Sequence, residues 1–167
     1  SKGRDVSHLI GKTDYIDLKF RGSSRVIATA VLMGADGVTL VDPGPTSCLH
    51  TLEAGLKERG CSLRDVRTLL LTHIHLDHAG AAGTIAERVP GLRVWVHERG
   101  APHMIDPAKL LASATRLYGD QMDTLWGAFQ PVPADRVKVL QGGERLTLGA
   151  LTLQVAYTPG HAKHHVS

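Results

Sequence analysis

The chain has 167 residues, 43% hydrophobic and 21% charged, with a formal net charge of +3 at pH 7, a composition that excludes a disordered or fibrous protein and fits one globular domain over 1–167. The longest largely apolar run, Val26 to Met33, is too short to span a membrane, and no basic segment leads into an apolar stretch at the start, so the expectation is a cytoplasmic protein with no membrane partner. Basic residues are scattered and aromatics make up 4%, which argues against nucleic acid as a partner.

Tyr15 to Phe20 and Val26 to Met33 read as strands, and the turn Gly34-Ala35-Asp36-Gly37 leads to a third, Val38 to Val41. Asp42-Pro43-Gly44-Pro45 stops the sheet. Thr46 or Ser47 is placed to cap a helix running to about Arg59, with Leu49, Leu52 and Leu56 on one face. Thr68 to Leu71 is a short apolar strand, the pattern of one covered on both faces, and it delivers the chain into Thr72-His73. Ala81 to Arg88 predicts a helix and Leu92 to Val96 a strand. Asp106-Pro107 starts a helix over Ala108 to Tyr118, and a further helix is expected over Met122 to Phe129. The pattern returns to strands at Val137 to Leu140, Arg145 to Leu148 and Leu151 to Tyr157, ending at Thr158-Pro159-Gly160-His161. Cys48 and Cys61 form no CxxC pair, which suits a reducing compartment and leaves the fold without disulfides.

Six of the 10 histidines fall in two windows, 73–78 and 161–165. In His73-Ile74-His75-Leu76-Asp77-His78, four ligand-type side chains occupy six positions just past a strand end. Two metal ions are the natural reading: His73 and His75 grip one, Asp77 and His78 face a second, and Ile74 and Leu76 turn into the core. Gly80 and Gly83 allow close backbone approach behind the cluster. The shell of imidazole and carboxylate suits zinc first, with iron or manganese as alternatives.

Thr72-His73-Ile74-His75-Leu76-Asp77-His78 resembles the THxHxDH signature of the metallo-β-lactamase superfamily. Val41-Asp42-Pro43-Gly44 resembles that family's Asp-containing strand end, and Thr158-Pro159-Gly160-His161 its later TPGH segment. The resemblance implies an α/β fold, the αββα sandwich, with His73, His75 and His161 on one divalent ion and Asp77 and His78 on the other. Asp42 would orient a ligand. The superfamily adds a bridging carboxylate and a further histidine after its TPGH segment, and no acidic residue follows Glu144 here. The expectation is therefore that the chain is part of a longer protein, with the second half of the sandwich and the second metal site incomplete and little activity on its own.

The resemblance implies a metal-dependent hydrolase in which a hydroxide held by two ions attacks a small acyl substrate, a thioester, ester or lactone. Asp77, besides ligating, would orient that nucleophile or carry its proton. His78-Ala79-Gly80 has the form common among the family's thioesterases and lactonases. Leu76 stands where the RNA-processing branch carries glycine, and His75 where flavodiiron members carry a carboxylate. An iron-dependent persulfide dioxygenase is the rival enzyme, and a non-catalytic metal-binding module the rival of another class. His165 and His97 are candidates to contact substrate or support a ligand, although exposed or locally bonded histidines are the commoner outcome for 164 and 165. The expected partner is a small-molecule substrate, and a homo-oligomer is compatible with the sequence.

Overall fold

The computed structural model describes residues 13–148, 151–155 and 166. A mixed sheet of six strands carries the architecture: β1 (Thr13–Asp17), β2 (Ala28–Gly34), β3 (Gly37–Val41), β4 (Val66–Leu70), β5 (Arg93–His97) and β6 (Val137–Leu140), side by side in chain order. β1, β2 and β3 form an antiparallel meander, while β3, β4, β5 and β6 run parallel. Parallel neighbours require crossovers. These are α1 (Leu49–Glu58), the pair α2 (Leu76–Ala79) and α3 (Ala82–Arg88), and the group α4 (Ala101–Ile105), α5 (Ala108–Tyr118) and α6 (Met122–Leu125).

Alternation along the strands sorts two faces. Val38, Leu40, Leu69, Val94 and Val96 join the main core with Leu52, Leu56, Ile85, Met104 and Ala114 from the helices. Leu70 and Trp95, one residue out of phase, meet a smaller cluster of Leu140, Leu146, Val155 and Val166. Leu146 and Leu153 belong to the hairpin β7 (Arg145–Leu148) and β8 (Leu151–Gln154). The described residues thus supply a helical layer, the six-stranded sheet and the beginning of a second strand layer, the α/β arrangement expected. Both faces of β4 are covered, which is why Thr68 to Leu71 reads as continuously apolar.

In α1, Leu49, Leu52 and Leu56 are buried as their spacing requires, each contributing about 2 kcal/mol of transfer free energy. Its entry differs from expectation. Thr46 and Ser47 lie in a 3-10 turn and do not cap the helix. The Thr46 hydroxyl donates to the Ala128 and Gly80 carbonyls and that of Ser47 to the Leu125 carbonyl, so both fasten the helix start to distant loops. Other boundaries shift too. β1 ends at Asp17, with Phe20 in a short 3-10 turn stacked on Trp126, Val26 is exposed ahead of β2, and α6 stops at Leu125. The one-turn helix α4 was not expected, because Pro102 and His103 gave it no apolar period.

Candidate metal centre

The histidine cluster follows β4 at its carboxyl end, where open sheets place their ligands. Ile74 and Leu76 are buried, as expected from their alternation with the histidines. They anchor the segment so that α2 starts at Leu76, its first turn closed by the His78 and Ala79 N–H groups donating to the His75 carbonyl. Asp77 and His78 therefore stand on a helical turn, while His75 comes from extended backbone and His73 from the irregular segment between β4 and that turn.

Asp42 directly follows the neighbouring strand β3. Its φ of 54° is left-handed, a conformation that aspartate tolerates better than most residues. Gly44, at φ 81°, lets the loop press against the ligand turn: its N–H donates to the His78 carbonyl at 2.9 Å and its own carbonyl accepts from the Ala81 N–H at 2.8 Å. A side chain at Gly83 would collide with the Gln130 carbonyl oxygen, so α3 also depends on close approach.

These clamps bring Asp42 onto the cluster. Its Oδ1 accepts the Thr72 N–H at 2.8 Å, and its Oδ2 accepts the Thr72 hydroxyl at 2.6 Å and lies 2.9 Å from Nδ1 of His78. A carboxylate only accepts, so the Nδ1 of His78 carries the proton. The Thr72 hydroxyl, having donated to Asp42, is an acceptor for Nδ1 of His73 at 3.0 Å. One carboxylate thus fixes the Nδ1 proton of both imidazoles, directly for His78 and through Thr72 for His73, which leaves Nε2 as the nitrogen that would face a metal ion once any proton on it is released. Thr72 acquires its role only from this geometry; its signal in the sequence is a hydroxyl placed between a buried strand and the first histidine.

Asp42, His73 and His78 offer ligand-type atoms that all lie within 4.8 Å of one another. Asp42 is 8% and His73 3% exposed, whereas His75 is exposed. The rings of His73 and His78 are 3.8 Å apart, and those of His73 and His75 5.0 Å apart at 84°. Asp77 Oδ2 is 3.2 Å from Nε2 of His78. Burial alone would disfavour the imidazolium of His78, but the hydrogen bonds to Asp42 and Asp77 outweigh it and push its pKa up to about 9. Burial likewise works against the Asp77 carboxylate, and His78 more than offsets it, so that carboxyl is held below its ordinary range. Two carboxylates flanking one imidazole make a place that favours positive charge, and the donor set of imidazole nitrogen and carboxylate oxygen fits a zinc-like cation.

His97 ends β5, 1% exposed, with Nδ1 accepting the Arg99 N–H at 3.1 Å; the described contacts give it a local structural bond. His161 and His165 lie outside the described residues. No helix of the described residues is long and apolar enough to cross a membrane.

The chain belongs to the metallo-β-lactamase superfamily, whose profile matches residues 24–167. It is 31% identical over 145 residues to the metallo-β-lactamase fold-containing protein ST1585 of Sulfurisphaera tokodaii, covering 84% of this chain and 52% of that protein. It is 28% identical over 136 residues to YqgX of Bacillus subtilis, described as a probable metallo-hydrolase, covering 81% of this chain and 56% of that one. Among solved structures, the FEZ-1 metallo-β-lactamase of Legionella gormanii superposes with a TM-score of 0.72 at 22% identity, covering 95% of this chain and 54% of that one. BJP-1, a subclass B3 metallo-β-lactamase of Bradyrhizobium japonicum, gives 0.69 at 26% identity, with 95% and 53% covered. The chain spans about half the length of the relatives it matches.

Proposed function

We propose that the protein is a metal-dependent hydrolase of small acyl substrates, a thioester, ester or lactone, with two divalent ions, zinc by the donor set. His73, His75 and His161 would hold one ion and Asp77 and His78 the other. The carrying observation is the convergence of Asp42, His73 and His78 within 4.8 Å, with Asp77 against His78, at the carboxyl ends of β3 and β4. When bound, the ions supply Lewis acidity, which polarises a carbonyl and brings the pKa of water from 15.7 towards about 7. Asp42 and Thr72 hold the imidazoles in one tautomer and one orientation. Asp77 offers its carboxylate oxygen as a resting place for the proton released when water adds to the acyl carbon. Ile74 and Leu76 keep the turn from shifting by locking it into the core. The likeness to a probable metallo-hydrolase supports this reading, and the small-molecule partner follows from it.

Metal analysis of the native-length protein, with turnover of thioesters, lactones and β-lactams, tests the proposal. Two equivalents of zinc and acyl hydrolysis are expected, with Asp77→Ala removing one equivalent and depressing kcat more than it changes KM. Oxygen uptake on glutathione persulfide without acyl hydrolysis would transfer the protein to the dioxygenases. Undiminished metal in His73→Ala, His75→Ala would overturn the ligand set.

A further inference from the structure

A cavity of about 400 Å³ opens beside the candidate metal centre. His75 and Asp77 form its polar end, and Leu110, Ala114 and Leu117 of α5, with Trp126, form an apolar wall. Leu110, Ala114 and Leu117 follow each other at spacings of four and three, so one helix face supplies the wall. Trp126 is held rigidly. It stacks on Phe20 with centroids 5.1 Å apart at 15° and meets the edge of Tyr118 at 5.4 Å and 71°. Its indole N–H is buried without an acceptor among the described residues. Leu117 is 80% exposed, which alone would mean little, but here the side chain continues the wall of a cavity that reaches the metal ligands.

The chemistry of the lining selects its occupant. Among the described residues, no lysine or arginine lines the cavity, so charge is confined to the His75 and Asp77 end, where the ions would sit, and nothing along the wall pairs with a charged group on the chain of a ligand. His75 and Asp77 lie at the ligand turn and the rest of the lining is mainly apolar, with Ser113 and Tyr118 as its other polar members, the make-up of a site that fixes a reacting head and accommodates a tail. We propose that this cavity receives the uncharged aliphatic arm of an acyl substrate, with its carbonyl at the His75 and Asp77 end. Naming the arm acyl rests on the hydrolase reading above; the preference for an uncharged apolar chain does not.

Two measurements on the native-length, zinc-loaded protein separate these. In the first, 1-octanol is titrated into the protein while the emission of Trp126, taken as the difference from Trp126→Phe protein, is followed. A saturable change is expected, and Leu117→Asp, at a site with little packing to lose, should weaken binding at least fivefold. No saturable change, or one indifferent to Leu117→Asp, overturns the proposal. In the second, kcat/KM is measured for straight-chain thioesters from acetyl to octanoyl. It should rise by about fourfold per methylene while the chain remains inside the cavity, and Leu117→Asp should flatten the rise. A flat series in the unsubstituted protein overturns the acyl assignment while leaving the hydrolase intact. Octanol binding that depends on Leu117, without turnover of any acyl substrate, keeps the apolar site and overturns the hydrolase reading.

Discussion

Asp42 and His78 lie 36 residues apart in the chain, yet Oδ2 of the first is 2.9 Å from Nδ1 of the second. The bond crosses from the end of β3 to the helical turn after β4, and two backbone hydrogen bonds through Gly44 hold the segments in that register. The same oxygen accepts the Thr72 hydroxyl, so both histidine tautomers depend on one carboxylate.

Asp42→Asn removes the charge and offers an amide where only an acceptor fits, while asparagine keeps access to the left-handed backbone of this position. Zinc affinity is expected to fall by about 10- to 100-fold, the usual cost of losing a group that orients a ligand. Competition with a chromophoric chelator measures it, and unchanged affinity would refute the orienting role.

Thr72→Val deletes the hydroxyl between Asp42 and His73 but leaves the Asp42–His78 bond. A smaller loss, about tenfold, is expected, with the Nδ1–H tautomer of His73 losing population in ¹⁵N spectra while His78 is unchanged. Equal shifts at both histidines would show that Thr72 acts through general packing.

Gly83→Ala sets a methyl group against the Gln130 carbonyl oxygen, a backbone atom that cannot rotate aside. Overpacking of this kind costs about 2 kcal/mol. A reduced urea midpoint with an unchanged slope is the expected outcome, and a wild-type midpoint would mean that the 130 segment yields freely.

Arg59 ties the end of α1 to β1. Its Nε donates to Asp14 Oδ2 at 2.5 Å and its other nitrogens to the Tyr15 and Gly55 carbonyls. That hydrogen bond to Arg59, opposed by partial burial and aided by the Tyr15 N–H, holds the Asp14 carboxyl below its ordinary value. A carboxylate depressed in the folded state stabilises it above the unfolded pKa near ~3.9, and the contribution is lost as pH falls through the folded value. With the Asp14 side chain 44% exposed, solvent screening limits the effect to about 0.5 kcal/mol. Asp14→Asn should be less stable by that amount at pH 7 and match the parent in strongly acidic buffer. A difference that persists in acid would place its origin outside the ion pair.

Local pattern by itself determined the amphipathic face of α1, the span of α5 at Ala108–Tyr118, the doubly covered β4, and the alternation that buries Ile74 and Leu76 between candidate ligands. Each follows from nearest-neighbour spacing, because a helix or strand repeats its exposure within a few residues. The family was legible through resemblance, since Thr72 to His78, Val41 to Gly44 and Thr158 to His161 look like three of the superfamily's motifs. Partner choice was beyond such reasoning. Thr46 and Ser47 have the chemistry of helix caps but donate to carbonyls at 80, 125 and 128, and Thr72 gained its role from a carboxylate thirty residues away. Leu110, Ala114 and Leu117 became the wall of a cavity only when α5 packed beside His75 and Asp77. A hydroxyl, carboxylate or exposed leucine carries the same local propensity wherever it stands, and only the crossing of distant segments decides which atom it meets.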